Sequence, residues 1–356
     1  MSYEANVRKV IPYTPGEQPE GKVIKLNTNE CPYPPSPKVE KALKAMDTDT
    51  LRKYPDPLCD GLVSAIALYY GLEKENVFVG VGSDDVLSMC FLTFFNAAKP
   101  ILFPDITYSF YDVWAEVYRI PFRTVPLRED FTLDPEDYMT ENGGIVIANP
   151  NAPTGILESP YVIEDIIKAN PDSMVIVDEA YIDFGGATVL PLIKKYENLV
   201  VVRTMSKSRA MAGMRVGYVF GNPKAIKYLN DVKYSVNSYT MNTPSLIAGI
   251  AAMEDDAYFE EITGKVIATR EWVKKELKSL GFFFGDSKTN FIFAGHEGTR
   301  PGESRAAFAE RIFLSLKERN IYVRYFKKPR IDGYLRISMG TDEEMRVLLD
   351  ILKELI

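Results

Sequence analysis

Five short runs constrain the fold of this chain more than anything else in it: "NVFVGVG" (76–82), "KPILFPD" (99–105), "GGIVIANP" (143–150), "MVIVDEA" (174–180) and "NLVVVRT" (198–204). Each is strand-length and almost continuously apolar. An alternating run would describe a strand with one wet face, whereas a continuous one describes a strand buried on both faces, as in a parallel sheet. The segments 83–96, 158–169 and 187–196 between them are long enough for crossover helices, so the rhythm is βαβ and the class α/β. At 356 residues the chain exceeds what one core usually organises, and two subdomains are expected. The pattern changes after about residue 240. A long amphipathic stretch (244–280) is followed by "TNFIFAG", "NIYVRYF" and "GYLRISMG", with a closing helix at 342–355. The sequence therefore divides into a proline- and tyrosine-rich arm (1–37), a large domain with a mostly parallel central sheet (38–243) and a smaller α+β domain (244–356). The arm is expected to contribute to the small domain and to dimer contacts.

Composition excludes several function classes. With 46% hydrophobic and 26% charged residues, the chain reads as an ordinary globular protein. A net charge of −7 argues against nucleic acid as a general partner, because phosphate-backbone binding wants a basic surface. The cysteines Cys31, Cys59 and Cys90 are too few and too scattered for a disulfide framework or a metal knuckle, which suits a reducing, cytoplasmic compartment. No signal peptide is expected from "MSYEANVRKVIPYTPG", and the longest apolar stretch (86–103) is broken by Asn96, Lys99 and Pro100, against a membrane span. His296 is the single histidine, which disfavours both a histidine triad and a multi-histidine metal site.

In open parallel sheets ligands bind at the carboxyl ends of the strands. Asp178, Glu179 and Tyr181 follow "MVIV"; Thr204, Ser206 and Lys207 follow "NLVVV", with Arg215 beyond; Gly82, Ser83 and Asp84 follow "NVFVGV"; "NPNAPTG" (149–155) follows "GGIVIA". Taken singly, these residues are unremarkable. Asp178 and Glu179 fit a helix N-cap pair, Lys207 a solvated face, Arg215 a surface ion pair, and "GVGSDD" a common capped turn. Facing one cleft, they have a joint use. A lysine that forms a Schiff base must be able to lose its proton. A pyridoxal phosphate ring needs a carboxylate at its pyridine nitrogen, the role that suits Asp178. Its phosphate needs amide donors and a cation: the Ser83 and Asp84 backbone at a helix start, the Ser206 hydroxyl with Thr204 beside it, and Arg215. Tyr181 would donate to the ring oxygen, and Tyr108 in "PDITYSFY" offers an aromatic face.

With those residues in view, the chain resembles the fold-type I pyridoxal-phosphate-dependent aminotransferases, and among them the histidinol-phosphate aminotransferases, over essentially its whole length. The carrying motifs are "SKSRAMAGMRVGY", "VDEAYIDF", "NPNAPTG", "RKYPDP" and "LNTNECPYPPSP". The resemblance implies that Lys207 binds the cofactor covalently, with Asp178 on the ring nitrogen and Tyr181 on the ring oxygen. It implies that Tyr54 reaches the cofactor phosphate from a neighbouring subunit, so the active site would belong to a homodimer. Arg336 and Arg324 are similar to the arginines that grip the substrate's anion, and Tyr13 to an arm residue closing over it.

The activity so implied is transamination of L-histidinol phosphate with 2-oxoglutarate in histidine biosynthesis. Two positions depart from the family pattern. Ala152 stands where an asparagine usually contacts the ring oxygen, so either Asn151 moves into that role or Tyr181 serves alone. Cys31 stands in place of another asparagine. Other readings stay open on the same scaffold: an aromatic or broad-specificity aminotransferase, or a threonine-phosphate decarboxylase. A pyridoxal-phosphate-binding regulator is disfavoured, since only about a dozen residues precede "IPYTPG". A nucleotide-binding dehydrogenase is disfavoured because "GVGSDD" lacks the third glycine of its fingerprint.

Overall fold

The computed structural model describes residues 2–356. In chain order the elements begin with β1 (Ile24–Leu26), α1 (Pro37–Lys44), α2 (Asp60–Tyr70), β2 (Val77–Gly80), α3 (Gly82–Phe94), β3 (Ile101–Pro104), α4 (Tyr111–Tyr118) and β4 (Phe122–Val125). There follow β5 (Ile145–Ala148), α5 (Pro160–Ala169), β6 (Val175–Asp178), β7 (Leu199–Thr204), β8 (Gly217–Gly221), α6 (Pro223–Val236) and α7 (Thr243–Met253). The chain closes with α8 (Asp256–Ser279), β9 (Phe291–Gly295), α9 (Arg305–Glu318), β10 (Ile321–Tyr325), β11 (Tyr334–Ser338) and α10 (Asp342–Leu355).

The five apolar runs become β2, β3, β5, β6 and β7 of one seven-stranded sheet, ordered β2-β8-β7-β6-β5-β3-β4. Their continuous apolarity follows from side-chain alternation between two covered faces. On β6, Val175 and Val177 enter one core while Ile176 enters the other; on β7, Leu199 and Val201 part from Val200 and Val202 in the same way. Helices α2, α5 and α7 cover the first face through side chains such as Leu62, Ile163 and Ala248. Helices α3, α4 and α6 cover the second through Phe91, Trp114 and Leu229. Burying each such aliphatic side chain contributes roughly 1.5–3 kcal/mol, enough to make these runs the main determinant of the topology. Local signals set the helix starts: the Ser159 hydroxyl accepts from the Tyr161 amide and Pro160 occupies the first turn of α5.

The C-terminal elements form a second sheet, β1-β10-β11-β9, packed on α8, α9 and α10. The arm supplies its edge: β1 lies parallel to β10, with Ile24 opposite Ile321. Ala251, Ala252 and Met253 of α7 join the core of the large sheet, whereas Val266, Val273 and Leu277 of α8 join the third core. The change of core thus falls near Asp255, beyond the division expected at 243/244. Among the described residues no helix is long and apolar enough to cross a membrane.

One expectation is corrected, and two features are added that the sequence reading did not resolve. The segment 187–196 forms only a short 3-10 turn, Leu190–Lys194, which brings Leu190 and Ile193 into the core within a single turn. The stretch 244–280 is two helices, since its halves serve different cores and Asp255 leaves helical geometry at φ −119° and ψ 67°. The sheet also gains strands not anticipated from the sequence, β4 at an exposed edge and β8 between β2 and β7.

β8 runs antiparallel to both neighbours and brings Gly217 against the start of α3. A Cβ at Gly217 would stand 2.3 Å from the Gly82 carbonyl carbon and 2.6 Å from the Ser83 nitrogen, so only glycine permits this approach. Gly217→Ala is expected to lower the stability of the cofactor-free protein by about 1–3 kcal/mol through overpacking, read as a fall in the denaturant midpoint at unchanged slope.

Candidate active site

The carboxyl ends of β5, β6 and β7 and the start of α3 surround a cavity of about 170 Å³ that opens into a second of about 350 Å³ beneath the arm. Thr28, Tyr108, Lys207 and Arg215 line both. Lys207 follows β7 on a loop, and its Nζ donates to the Thr28 carbonyl oxygen at 3.3 Å while lying 5.7 Å above the Tyr181 ring. Asp178, the last residue of β6, is buried facing the same space. Its Oδ2 accepts from the Tyr111 hydroxyl at 2.9 Å and its Oδ1 from the Ala180 amide at 3.1 Å. Burial raises its pKa to about 6; the two hydrogen bonds oppose the rise, and the charges of Asp84 and Glu179 add to it. Tyr181 Oη accepts from Asn29 Nδ2 at 2.9 Å, which leaves its own proton free to donate into the cavity.

The second end of the cavity is built to meet an anion. Val81 provides no side-chain cap at the start of α3, so the first amides of that helix keep no side-chain partner from the capping position. Gly82, at φ +86°, lies so close to Arg215 that a Cβ would stand 2.5 Å from its guanidinium Nη2. Arg215 itself adopts the left-handed conformation, φ 52°, and its Nη2 is 3.4 Å from Asp84 Oδ2. The other carboxyl oxygen of Asp84 accepts from Tyr108 Oη at 2.7 Å, so the Asp84 side chain orients Tyr108. Ser206 and Ser83 line the cavity. Thr204 does not; its hydroxyl lies 2.9 Å from the Ser206 hydroxyl and 3.1 Å from the Ser206 amide, holding that residue from behind.

Under the arm, Arg324 on β10 and Arg336 on β11 are directly opposed in the antiparallel register. Their recorded hydrogen bonds go to backbone carbonyls: Arg324 to Thr14 and Pro15, and Arg336 to Asn27 at 2.8 Å. Arg336 Nε is buried without a partner. The Phe291 and Phe326 rings lie 5.3 and 5.5 Å from its guanidinium. Burial pushes the Arg336 pKa below the usual arginine value, with Tyr181 working against that shift and Arg324 adding to it. Like charges placed opposite each other on a sheet are destabilising, so this pair is a standing demand for an anion. Tyr13 stacks on Phe110 at 4.2 Å and closes one side of the outer cavity.

Two anticipated residues lie away from the cavity. Asn151 spends its amide on the Ile106 carbonyl and Thr154 hydroxyl and accepts from Thr107, while Ala152 lines both cavities. Tyr54 is 81% exposed and stacks on Tyr239 at 4.6 Å. Glu179 does not cap a helix; it is buried against Arg203. Sequence reasoning missed Tyr111, which holds Asp178, and Asn29, which holds Tyr181 and exchanges hydrogen bonds with Ser338. The signal for Asn29 was present, in the polar "NTNE" (27–30) that follows the short run "VIKL"; Tyr111 had none apart from the aromatic cluster around Tyr108.

Comparison with known proteins adds three findings. Residues 21–352 match the family described as Aminotransferase class I and II. Histidinol-phosphate aminotransferase of Clostridium botulinum (strain Okra / Type B1) is 50% identical over 356 residues, covering 99% of this chain and 98% of that one. The protein of the same name from Lactococcus lactis subsp. cremoris (strain MG1363) is 49% identical over 355 residues, with 99% and 98% covered. The crystal structure of histidinol-phosphate aminotransferase from Sinorhizobium meliloti in complex with pyridoxal-5'-phosphate superposes with a TM-score of 0.85 at 24% identity, covering 94% of this chain and 91% of that one, a likeness of fold.

The residues present fit pyridoxal phosphate. Asp178 is a buried acceptor with only neutral donors, an arrangement that a protonated ring nitrogen would complete. The uncapped start of α3 with Arg215 suits the phosphate. The raised Asp178 pKa carries a sign. Stability from its protonated form is fully present below the ordinary value of 3.8 and is lost as pH rises through about 6, a difference of roughly 3 kcal/mol. Denaturation of the cofactor-free protein across that window should therefore show a component of declining stability that Asp178→Asn removes; identical pH profiles for the two proteins would contradict it.

Proposed function

The chain belongs to the class I and II aminotransferases, and on that premise we propose that it transfers the amino group of L-histidinol phosphate to 2-oxoglutarate, giving imidazole acetol phosphate and L-glutamate, in histidine biosynthesis. The observation that carries the substrate reading is the opposed pair Arg324 and Arg336, set in the cavity that also holds Lys207 and satisfied only by carbonyls. A phosphorylated amine places its anion on the arginines and its nitrogen at the lysine. The carboxylate of the keto acid uses the same guanidinium forks in the second half-reaction.

Bound pyridoxal 5'-phosphate would supply the carbonyl that takes the amine covalently and the ring that spreads the charge left when the Cα proton departs. The remaining work belongs to side chains. Lys207, whose Nζ lies in the cavity beside the Thr28 carbonyl, would take the Cα proton as general base and return a proton as general acid. Asp178, ionised, holds the proton on the ring nitrogen, and Tyr111 fixes the direction of its carboxylate. Tyr181 donates to the ring oxygen without help from Asn151, whose amide is spent elsewhere. The Ser83 and Asp84 amides, the Ser206 hydroxyl and Arg215 hold the cofactor phosphate, and the Tyr108 ring faces the cofactor. Tyr13 and the arm exclude water from the outer cavity. Tyr54, exposed here, reaches the cofactor phosphate of a second subunit in a homodimer.

Three measurements test this. Visible absorbance before and after stoichiometric L-histidinol phosphate, without keto acid, should show a cofactor band that bleaches; a band that ignores this substrate would move the activity to a relative. Lys207→Ala should lose transamination by about 10⁴-fold or more while keeping its denaturation profile, and substantial residual turnover would defeat the assignment. Arg336→Ala should lower kcat/KM for the phosphorylated amine by roughly 10²-fold, read by steady-state kinetics, through the loss of a charge-assisted anion contact.

A further inference from the structure

Outside both cavities lies a second polar cluster that the reaction above does not use. Its members are chain neighbours of the residues that do. Glu179 follows Asp178, Arg203 precedes Thr204, and Ser208 follows Lys207. None of the three lines either cavity. All are buried. Arg203 donates to Glu179 Oε2 from Nε at 3.0 Å and from Nη2 at 2.8 Å, and from Nη1 to Asp183 Oδ1 at 3.3 Å. The other Asp183 oxygen accepts from the Ser208 hydroxyl at 2.5 Å. Thr188 and the Val189 amide complete the shell of Glu179.

The cluster joins a strand end to a loop. Asp178 ends a fully buried strand and Glu179 follows it. Lys207 and Ser208 lie on a stretch, 205–216, whose only regular structure is the 3-10 turn Ala212–Met214. On the N-terminal side of the lysine, Thr204 holds Ser206 and Met205 pairs with Val216 and Met211; on its C-terminal side the backbone bond is the longer one from the Ala210 amide to the Lys207 carbonyl, 3.3 Å. A proton-transferring amine must be held to within a fraction of an ångström, so the C-terminal side needs a restraint of its own. The Ser208–Asp183 hydrogen bond supplies a tether one residue from Lys207, and Arg203 ties the same aspartate to the strand end carrying Asp178. A buried ion pair of this kind contributes little net stability against an apolar replacement, so its effect is to be sought in geometry.

We propose that Asp183 and Ser208 are positioning residues: braced by Arg203 and Glu179, they set the placement of the Lys207 amine relative to Asp178 from outside the cavity. The proposal rests on the aminotransferase reading of Lys207.

The test is a double-mutant cycle on the full-length enzyme with pyridoxal phosphate added. Ser208→Ala should lower kcat about tenfold with KM for L-histidinol phosphate nearly unchanged, and should move the pH midpoint of the cofactor absorbance by about half a pH unit. Asp183→Ala should do the same. The double variant should be no slower than either single one, because both remove one tether. Asp183→Asn, which keeps an oxygen for the Ser208 hydroxyl, should recover most of kcat. Wild-type kcat and pH midpoint in Ser208→Ala would overturn the proposal. So would additive losses in the double variant, or losses that follow the denaturation midpoint and are not relieved in Asp183→Asn. A wild-type protein that takes up no cofactor would overturn the aminotransferase reading itself, a result distinguishable from all of these.

Discussion

Asp178 is buried at the end of β6, and the groups that satisfy its two oxygens, the Tyr111 hydroxyl and the Ala180 amide, are both neutral. A carboxylate so placed is costly to ionise, which is why its pKa rises to about 6. Its hydrogen-bond partners include no cation, and the neighbouring charges of Asp84 and Glu179 are of the same sign. Most of the architecture can be referred to this constraint. The two apolar faces that bury β6 deny water to the carboxylate; the strand end aims it into the cavity; Lys207 stands on the next strand's exit without pairing with it. A cationic ring nitrogen, such as pyridoxal phosphate would supply, would restore the balance. Without such a partner the fold keeps the carboxylate in tension.

That tension was legible in the sequence, because it depends on strands. Continuous apolar runs announce burial on both faces, and the residue ending such a run must lie at the sheet edge where ligands bind. Lys207, Asp178, Tyr181, Ser83 and Arg215 all follow from this rule, and the structure brings them to one cavity. β8 was less legible. Its sequence, "GYVFG", is as apolar as the others, but no crossover helix separates it from β7, and its Gly217 admits the start of α3. The break between α7 and α8 left no periodicity signal, because amphipathic spacing records that a helix has a buried face and not which core receives it. Asn151 illustrates a third kind of limit. Its position beside Ala152 invites a role at the ring oxygen, but a side-chain amide goes where its donors and acceptors are satisfied, and here the Ile106 carbonyl, Thr107 and Thr154 claim it.

The outer cavity follows a different logic, in which the polar partners are weak and come from the arm. Arg324 is held by the Thr14 and Pro15 carbonyls at 3.3 and 3.5 Å, and Arg336 by the Asn27 carbonyl at 2.8 Å. Carbonyl oxygens orient a guanidinium without neutralising it, and the Phe291 and Phe326 faces add only a modest cation–π attraction. Two positive charges opposed across β10 and β11 therefore keep their full appetite for an anion. Because the pair's carbonyl partners lie at 14, 15 and 27, the arm is fastened to the site by the same groups that would bind substrate, and β1 anchors its far end to the small sheet. A phosphate monoester and a carboxylate differ in charge and in span. Two forked donors on adjacent strands, met by neutral arm carbonyls, would accommodate either without rebuilding the floor around Asp178. The two parts thus differ physically: a twice-buried sheet fixes Asp178 and the strand end before Lys207, while the guanidiniums of β10 and β11 are met by arm carbonyls that leave their charge available to an anion.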